Sequence, residues 1–361
     1  MTSSRVSEPA PLTQTSFIFD PRPDYPYRLA VNRYQHRAHA STDEDALTLI
    51  FVHCHGAHKE LWEPTLEHIF ELANHRPDLK IREAWCIDSP EQGDSAILND
   101  GLFSSALNWR SDAPLTGFNY AESVHRFLSG LGTGVEVDFR SRRLVGIGHS
   151  FGGAAVVQST RYEPKVNFHS VILLDPIILR MPEPGDPDLK WSEGVSMLAD
   201  TWESRDEASR YLLSLRQWKS WDRRVFEKYI EHGLRDLPSP SYPGRTHGVA
   251  LKCPRRVEAA IYRDTLFTLG AFDYLHALCE RIPVHLVHPE HANLVPRPFM
   301  NDVSRVAARG LHTSIRTIPG VGHMVVQTHP DRAASAIVAA LEHEITSQPS
   351  AGAGTLPVAR L

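Results

Sequence analysis

Apolar residues in this chain gather into short runs separated by helix-spaced or polar stretches. Ala46–Cys54 (ALTLIFVHC), Lys80–Asp88 (KIREAWCID), Phe139–Ile147, Val166–Ile178 with its segment SVILLDPII, Ile282–Val287 (IPVHLV) and Leu311–Ile318 are each of strand length. Runs that are apolar at nearly every position, as most of these are, mark strands covered on both faces, the usual state of a parallel sheet. Between them, Leu61–Ala73, Ala121–Leu131, Gly152–Arg161 and Asp331–Thr346 carry apolar residues at helical spacing. The alternation predicts an α/β protein, a mostly parallel central sheet flanked by helices. Shorter alternating runs at Ser16–Phe19 and Tyr27–Tyr34 predict an antiparallel hairpin at a sheet edge. Residues 35–45 read as a loop and 97–118 as an irregular stretch.

The pattern changes after Pro176. Residues 180–280 are helix-rich, carry Trp191, Trp202, Trp218 and Trp221, and break at SPSYPG (239–244). They predict a helical lid inserted after the strand that ends in Asp175, leaving 16–179 and 281–346 as the core. Tryptophan faces in such a lid suit a bulky apolar substrate, or they pack the lid onto the body. Residues 1–15 are rich in Ser, Pro and Thr and are expected to be disordered, and 347–361 read as a flexible low-complexity tail.

Composition narrows the function. The 361 residues, 42% of them hydrophobic, suffice for one large domain with an insertion. A net charge of −5 with both signs interspersed leaves no basic field for nucleic acid. Cys54, Cys86, Cys253 and Cys279 are widely spaced and read as buried free thiols. No run approaches the roughly 18–20 apolar residues of a membrane span, and MTSSRVSEPAPLTQ lacks a signal core, so a soluble, non-secreted protein is expected. The oligomeric state stays open, a dimer included.

The chemistry starts at residues 144–155, LVGIGHSFGGAA. Gly148-His149-Ser150-Phe151-Gly152 is a G-x-S-x-G turn between an apolar strand and a small-residue helix, the arrangement that lifts a serine hydroxyl clear of the backbone. A serine needs a base, an orienting acid and oxyanion donors. His323, in the Gly320-Val321-Gly322-His323 turn after the last strand, is the candidate base. Asp175, at the carboxyl end of its strand, is the candidate acid, since ligands and catalytic groups collect at that rim of a parallel sheet. The loop after the penultimate strand, His288 to Pro296, has Ala292 where an acid usually stands, which leaves Glu290 as the fallback. Ala57, in the His55-Gly56 loop, and Phe151 are the candidate backbone donors for the oxyanion. His53, His55 and His58 also have the spacing of a binuclear zinc site, but Ala57 stands where that motif needs aspartate. No metal and no cofactor is expected.

The order Ser150, Asp175, His323 resembles the α/β-hydrolase family over nearly the whole chain. GAHKELWEP (56–64), GHSFGG (148–153), LLDPII (173–178) and LKCP (251–254) resemble a fungal subgroup of it, which includes the peroxisomal acyl-CoA hydrolase of mycophenolic acid biosynthesis and Alternaria toxin-pathway hydrolases. In that subgroup the acid follows the strand after the nucleophile helix, in agreement with Asp175. The resemblance implies hydrolysis of a CoA thioester or related ester of a small-molecule acyl group, and peroxisomal residence. Ala359-Arg360-Leu361 fits the S-K-L type of address read by the peroxisomal import receptor; without it the protein would be cytoplasmic. Candidate cations for CoA phosphates are Lys219, Arg223, Arg224, Lys252, Arg255 and Arg256, with Asp222 and Glu227 nearby. A lactonase or carboxylesterase acting on a polyketide is the rival activity, and a non-catalytic ligand-binding homologue the alternative of another class.

Overall fold

The computed structural model describes residues 12–37, 40–106, 115–187 and 189–346. Its strands are β1 (Leu12–Phe19), β2 (Leu29–His36), β3 (Leu47–Val52), β4 (Ile81–Ile87), β5 (Arg143–His149), β6 (Phe168–Leu174), β7 (Thr201–Trp202), β8 (Leu234–Asp236), β9 (Val249–Leu251), β10 (Val284–Pro289) and β11 (Ser314–Ile318). Eight of them form one sheet in the order β1-β2-β4-β3-β5-β6-β10-β11. The pairs β1/β2 and β2/β4 are antiparallel and all others in this sheet are parallel.

Alternation along β3 shows why this sheet reads as continuous apolar runs. Ile50 and Val52 pack into one core with helices Gly117–Leu128, Phe151–Ser159 and Thr265–Cys279. Leu47, Leu49 and Phe51 point the other way, against helices Glu63–Asn74 and Pro330–Thr346. Each such buried side chain contributes about 1.5–3 kcal/mol relative to an exposed one. Because β3, β5, β6, β10 and β11 run parallel, the loops leaving them share one rim, and the candidate site residues lie there.

Several expectations are corrected. Residues 12–15, read as disordered, are strand in β1, where Leu12 pairs with His36 and Thr15 with Arg33. The stretch 97–118 is not irregular throughout: Gly93–Leu98 and Asp100–Ala106 are helical, the first held because Ser95 Oγ accepts the Ala30 N–H at 2.8 Å. The inserted unit is not purely helical, since β7, β9 and β8 form a second small antiparallel sheet within it. It also ends before residue 280. Helix Thr265–Cys279 buries Phe267, Ala271, Leu275 and Leu278 in the body's core, so the cap runs to about Asp264. The cap has its own apolar cluster of Trp202, Leu212, Trp218, Phe226 and Tyr229, which includes Cys54, Ala57 and Leu61 of the body. Residues 1–11 and the tail with Ala359-Arg360-Leu361 lie outside the described residues. No helix among the described residues is long and apolar enough to cross a membrane.

Candidate active site

Local sequence explains how Ser150 is presented. Between β5 and helix Phe151–Ser159 the chain reverses so sharply that Ser150 adopts φ 58°, ψ −122°. A Cβ on Gly152 would fall 2.2 Å from the Val52 carbonyl oxygen, and one on Gly148 2.5 Å from that of Gly152, so neither neighbour of the turn can carry a side chain. The turn is over-determined by backbone bonds: Ser150 N–H donates to Leu174 O at 2.9 Å, and Ile177 N–H to Ser150 O at 3.0 Å. Asp175 is also held at positive φ, 37°, with its N–H on Val287 O at 2.7 Å. Among the described residues only three non-glycines have positive φ, and two of them are Ser150 and Asp175. Strain of this kind persists where the surroundings impose it.

The structure brings the three residues together. His323 Nε2 lies 2.8 Å from Ser150 Oγ, and His323 Nδ1 2.6 Å from Asp175 Oδ2. With exposures of 6%, 2% and 1% for Ser150, Asp175 and His323, the chain of hydrogen bonds is shielded from bulk water. Burial raises the Asp175 carboxyl, but hydrogen bonds to His288 and His323 outweigh it and hold the group at about 2. Asp175 is therefore an anion at neutral pH, able to accept the Nδ1–H of His323 and leave Nε2 facing the serine. Glu290 does not take part: it is exposed, and its Oε2 accepts the Gly320 N–H at 2.7 Å.

Residues without an assigned role in the sequence reading hold His323 in place. Asn293 Oδ1 accepts the His323 N–H at 2.9 Å, and His149 Nε2–H donates to the His323 carbonyl at 2.8 Å. His288 Nδ1 lies 3.4 Å from the second Asp175 oxygen. A histidine at or next to the carboxyl end of a largely apolar strand, His149 in β5 and His288 in β10, was the available signal. Burial, together with the nearby His323, lowers His149 to about 3, and burial likewise lowers His53 to about 3.

These two neutral imidazoles give the fold an acid liability. An unfolded histidine titrates near 6.5, so below that pH the unfolded chain takes up protons that native His53 and His149 refuse. Stability is expected to fall as pH falls from about 6.5 towards about 3. Asp175 acts at lower pH: its contribution is complete above about 3.9 and is lost as pH falls through about 2. The melting temperature should drop steadily between pH 7 and pH 5, and His149→Gln should flatten that slope. An unchanged melting temperature across the window would refute this account.

The two expected oxyanion donors are not equally placed. Phe151 opens its helix, so its N–H has no intrahelical acceptor and adds to the positive end of the helix dipole beside Ser150. The Ala57 N–H instead donates to Cys54 O at 3.2 Å, closing a turn whose third residue, Gly56, has φ 76°. Ala57 lines the site, but its donor faces into its own loop. The zinc-like histidines also diverge. His53 Nε2 accepts the Ser89 N–H at 3.1 Å, His55 Nε2 meets the Glu258 carbonyl at 2.8 Å, and His58 Nδ1 meets Glu60 Oε2 at 2.8 Å. They do not converge on one point.

Above Ser150 and His323 lies a cavity of about 510 Å³ between body and cap, walled by Ile177, Trp191, Leu198, Trp218, Trp221 and Leu294. Trp202 packs within the cap, Trp218 and Trp221 both pack in the cap cluster and line the cavity, and Trp191 lines the cavity from another cap helix. Most of the candidate phosphate-binding cations are already engaged. Arg223 pairs with Glu227, Arg224 with Asp222 and Asp331, Lys252 with Asp94 and Arg255 with Glu258, while Arg256 donates to the Ser241 carbonyl. Lys219 stands exposed.

A family model for the alpha/beta hydrolase family matches residues 49–336, and the chain belongs to that family. The type I acyl-CoA thioesterase mpaH of Penicillium brevicompactum is 29% identical to it over 223 residues, 60% of this chain and 46% of the relative, so the match spans about half the length of that relative. The peroxisomal membrane protein LPX1 of Saccharomyces cerevisiae is 29% identical over 144 residues, 40% of this chain and 34% of that one. Among solved structures, the peroxisomal alpha-beta-hydrolase Lpx1 from the same yeast superposes with a TM-score of 0.70 at 18% identity, covering 97% of this chain and 93% of that chain. A thioesterase domain from the curacin biosynthetic pathway superposes with a TM-score of 0.57 at 13% identity, covering 90% and 99%.

Proposed function

We propose that this protein is a serine hydrolase that cleaves an acyl-CoA thioester, or a related ester, of a bulky apolar acyl group through an acyl-enzyme. The observation that carries the reading is the continuous hydrogen-bonded chain Ser150–His323–Asp175 opening into an apolar cavity. Ser150 Oγ attacks the acyl carbon as His323 Nε2 takes its proton, and Asp175 fixes the tautomer and stabilises the imidazolium. The new C–O bond pushes the carbonyl pair onto oxygen, where the Phe151 N–H receives it. Such a donor is worth about 10²–10³ in kcat. Collapse expels the thiolate or alkoxide, which takes the proton from His323 and leaves as thiol or alcohol, so that the imidazole is neutral again. Water then attacks the acyl-enzyme, His323 again acting as base, and the acid leaves.

The acyl half of the substrate is the half the cavity accounts for. Thioesterase relatives support the thioester, and peroxisomal relatives together with Ala359-Arg360-Leu361 support import into peroxisomes. Fluorophosphonate labelling of the wild type but not of Ser150→Ala, with turnover of acyl-CoAs or esters in a panel that includes lactones, is the expected result. Folded protein that stays unlabelled would make it a ligand-binding homologue, and turnover of lactones alone would make it a lactonase. A fluorescent fusion lacking Ala359–Leu361 should become cytosolic; one still held in the organelle would defeat the address.

A further inference from the structure

His53, His55 and His58 have the spacing of metal ligands but diverge, whereas donors of the same kind gather at the far end of the sheet. Among the described residues, His285, His343 and Glu344 each offer one ligand atom, and these atoms all lie within 4.8 Å of one another. His285 is the second residue of β10, and the loops that build the Ser150 site leave the opposite, carboxyl end of the parallel strands. Val287, on the same face of β10 as His285, packs in the core that helix Pro330–Thr346 covers, so His285 faces that helix. The helix buries Ile337 and Leu341 on its inner stripe, and Glu344 takes the next inward position, where the spacing calls for an apolar residue.

The donors are built into the fold rather than scattered over a surface. His285 is fully buried and Glu344 is 9% exposed. Ser314 Oγ lies 2.7 Å from His285 Nδ1, which fixes the ring with Nε2 turned to Glu344 Oε1 at 2.8 Å. A partner on the outer nitrogen is the usual means of orienting a ligating histidine. His169 Nε2 stands 3.8 Å from the second carboxylate oxygen, but it already accepts from Arg143 Nη2 at 2.8 Å and so frames the site without entering it. A cavity of about 30 Å³ lined by His169 and Glu344 lies alongside, enough for one water. His343, half-buried on the last turn of the helix, gives an ion its way in from solvent.

Two imidazoles and a carboxylate, with water as the fourth ligand, make the donor set of a four-coordinate zinc-type site. Magnesium and calcium, which prefer oxygen ligands, suit it poorly. We propose that His285 Nε2, His343 and Glu344 bind one Zn²⁺ ion, which staples the last turn of helix Pro330–Thr346 to β10. Binding displaces the proton shared by His285 Nε2 and Glu344 and draws the half-buried His343 inward. The site is remote from Ser150, so its test does not depend on the hydrolase reading.

The full chain, stripped with EDTA and titrated calorimetrically with ZnCl₂, should take up one equivalent with a Kd of about 10 µM or tighter. Zinc at 100-fold above that Kd should raise the melting temperature by about 5 °C, and millimolar MgCl₂ should leave it unchanged. His343→Ala and Glu344→Gln should each weaken zinc binding at least thirtyfold and abolish the melting shift. His68→Ala, which removes a donor from the surface pair His68 and Glu71, should leave both readings as in the wild type. His343 is half-buried, so its variant decides the matter even where Glu344→Gln does not fold. No saturable binding, binding that persists in His343→Ala, or an equal loss in His68→Ala overturns the proposal, the last two showing adventitious zinc only.

Discussion

Asp175→Asn is expected to lower kcat by about 10⁴-fold, the scale on which a triad acid acts by fixing the histidine tautomer. In the native site the Asp175 anion accepts the Nδ1–H of His323 at 2.6 Å, which leaves Nε2 unprotonated 2.8 Å from Ser150 Oγ. An asparagine amide in the same place can donate to Nδ1 and drive the proton onto Nε2, where it blocks deprotonation of the serine. Glu290→Gln is the control. Glu290 sits on an exposed loop, bound to the Gly320 N–H, and should change kcat by less than about twofold. Steady-state hydrolysis of one p-nitrophenyl ester by all three proteins decides the matter. Activity of Asp175→Asn within tenfold of wild type, or a collapse in Glu290→Gln, would move the acid elsewhere.

Lys59→Met should destabilise the fold by about 3–5 kcal/mol, the cost of leaving buried carboxylates without their cation. Lys59 is 1% exposed, and its Nζ lies 2.6 Å from Glu60 Oε1, 2.9 Å from Asp88 Oδ2 and 2.7 Å from Asp94 Oδ2. Burial works against its charge, but Asp88, Glu60 and Asp94 more than offset it and hold the ammonium protonated. Asp88 is also the knot of two loops, accepting the N–H of Lys59 at 2.8 Å and that of Asp94 at 2.9 Å. With total stability on the order of 5–15 kcal/mol, the loss is a large fraction of the whole. Thermal melting should show a drop of about 5–10 °C. Removing the exposed pair partner Arg140 should shift it by no more than about 1 °C. A drop below about 2 °C for Lys59→Met would show the cluster to be relaxed or hydrated.

The same lysine shows where reading the chain stops. Within GAHKELWEP nothing distinguishes Lys59 from a solvated surface residue, because its partners at 88 and 94 come from the next strand and loop. The lid boundary failed for a related reason. Helix Thr265–Cys279 has the apolar content of a lid helix, and only its packing against helix Phe151–Ser159 assigns it to the body. The candidate phosphate cations were legible as positive charges, but their engagement by Asp94, Asp222, Glu227, Glu258 and Asp331 was not.

What the sequence by itself determined was the class of fold, the strand-turn-helix that lifts Ser150, and the placing of Asp175 and His323 at strand ends. Periodicity records burial, and Gly148 and Gly152 record a backbone too crowded for a Cβ. Tertiary structure alone decided that Asp175 rather than Glu290 reaches His323, that Asn293 and His149 hold His323 in place, and that the Ala57 N–H turns into its own loop. Each of these is a distance between residues remote along the chain, and local pattern carries no information about which distant group will satisfy a given donor or charge.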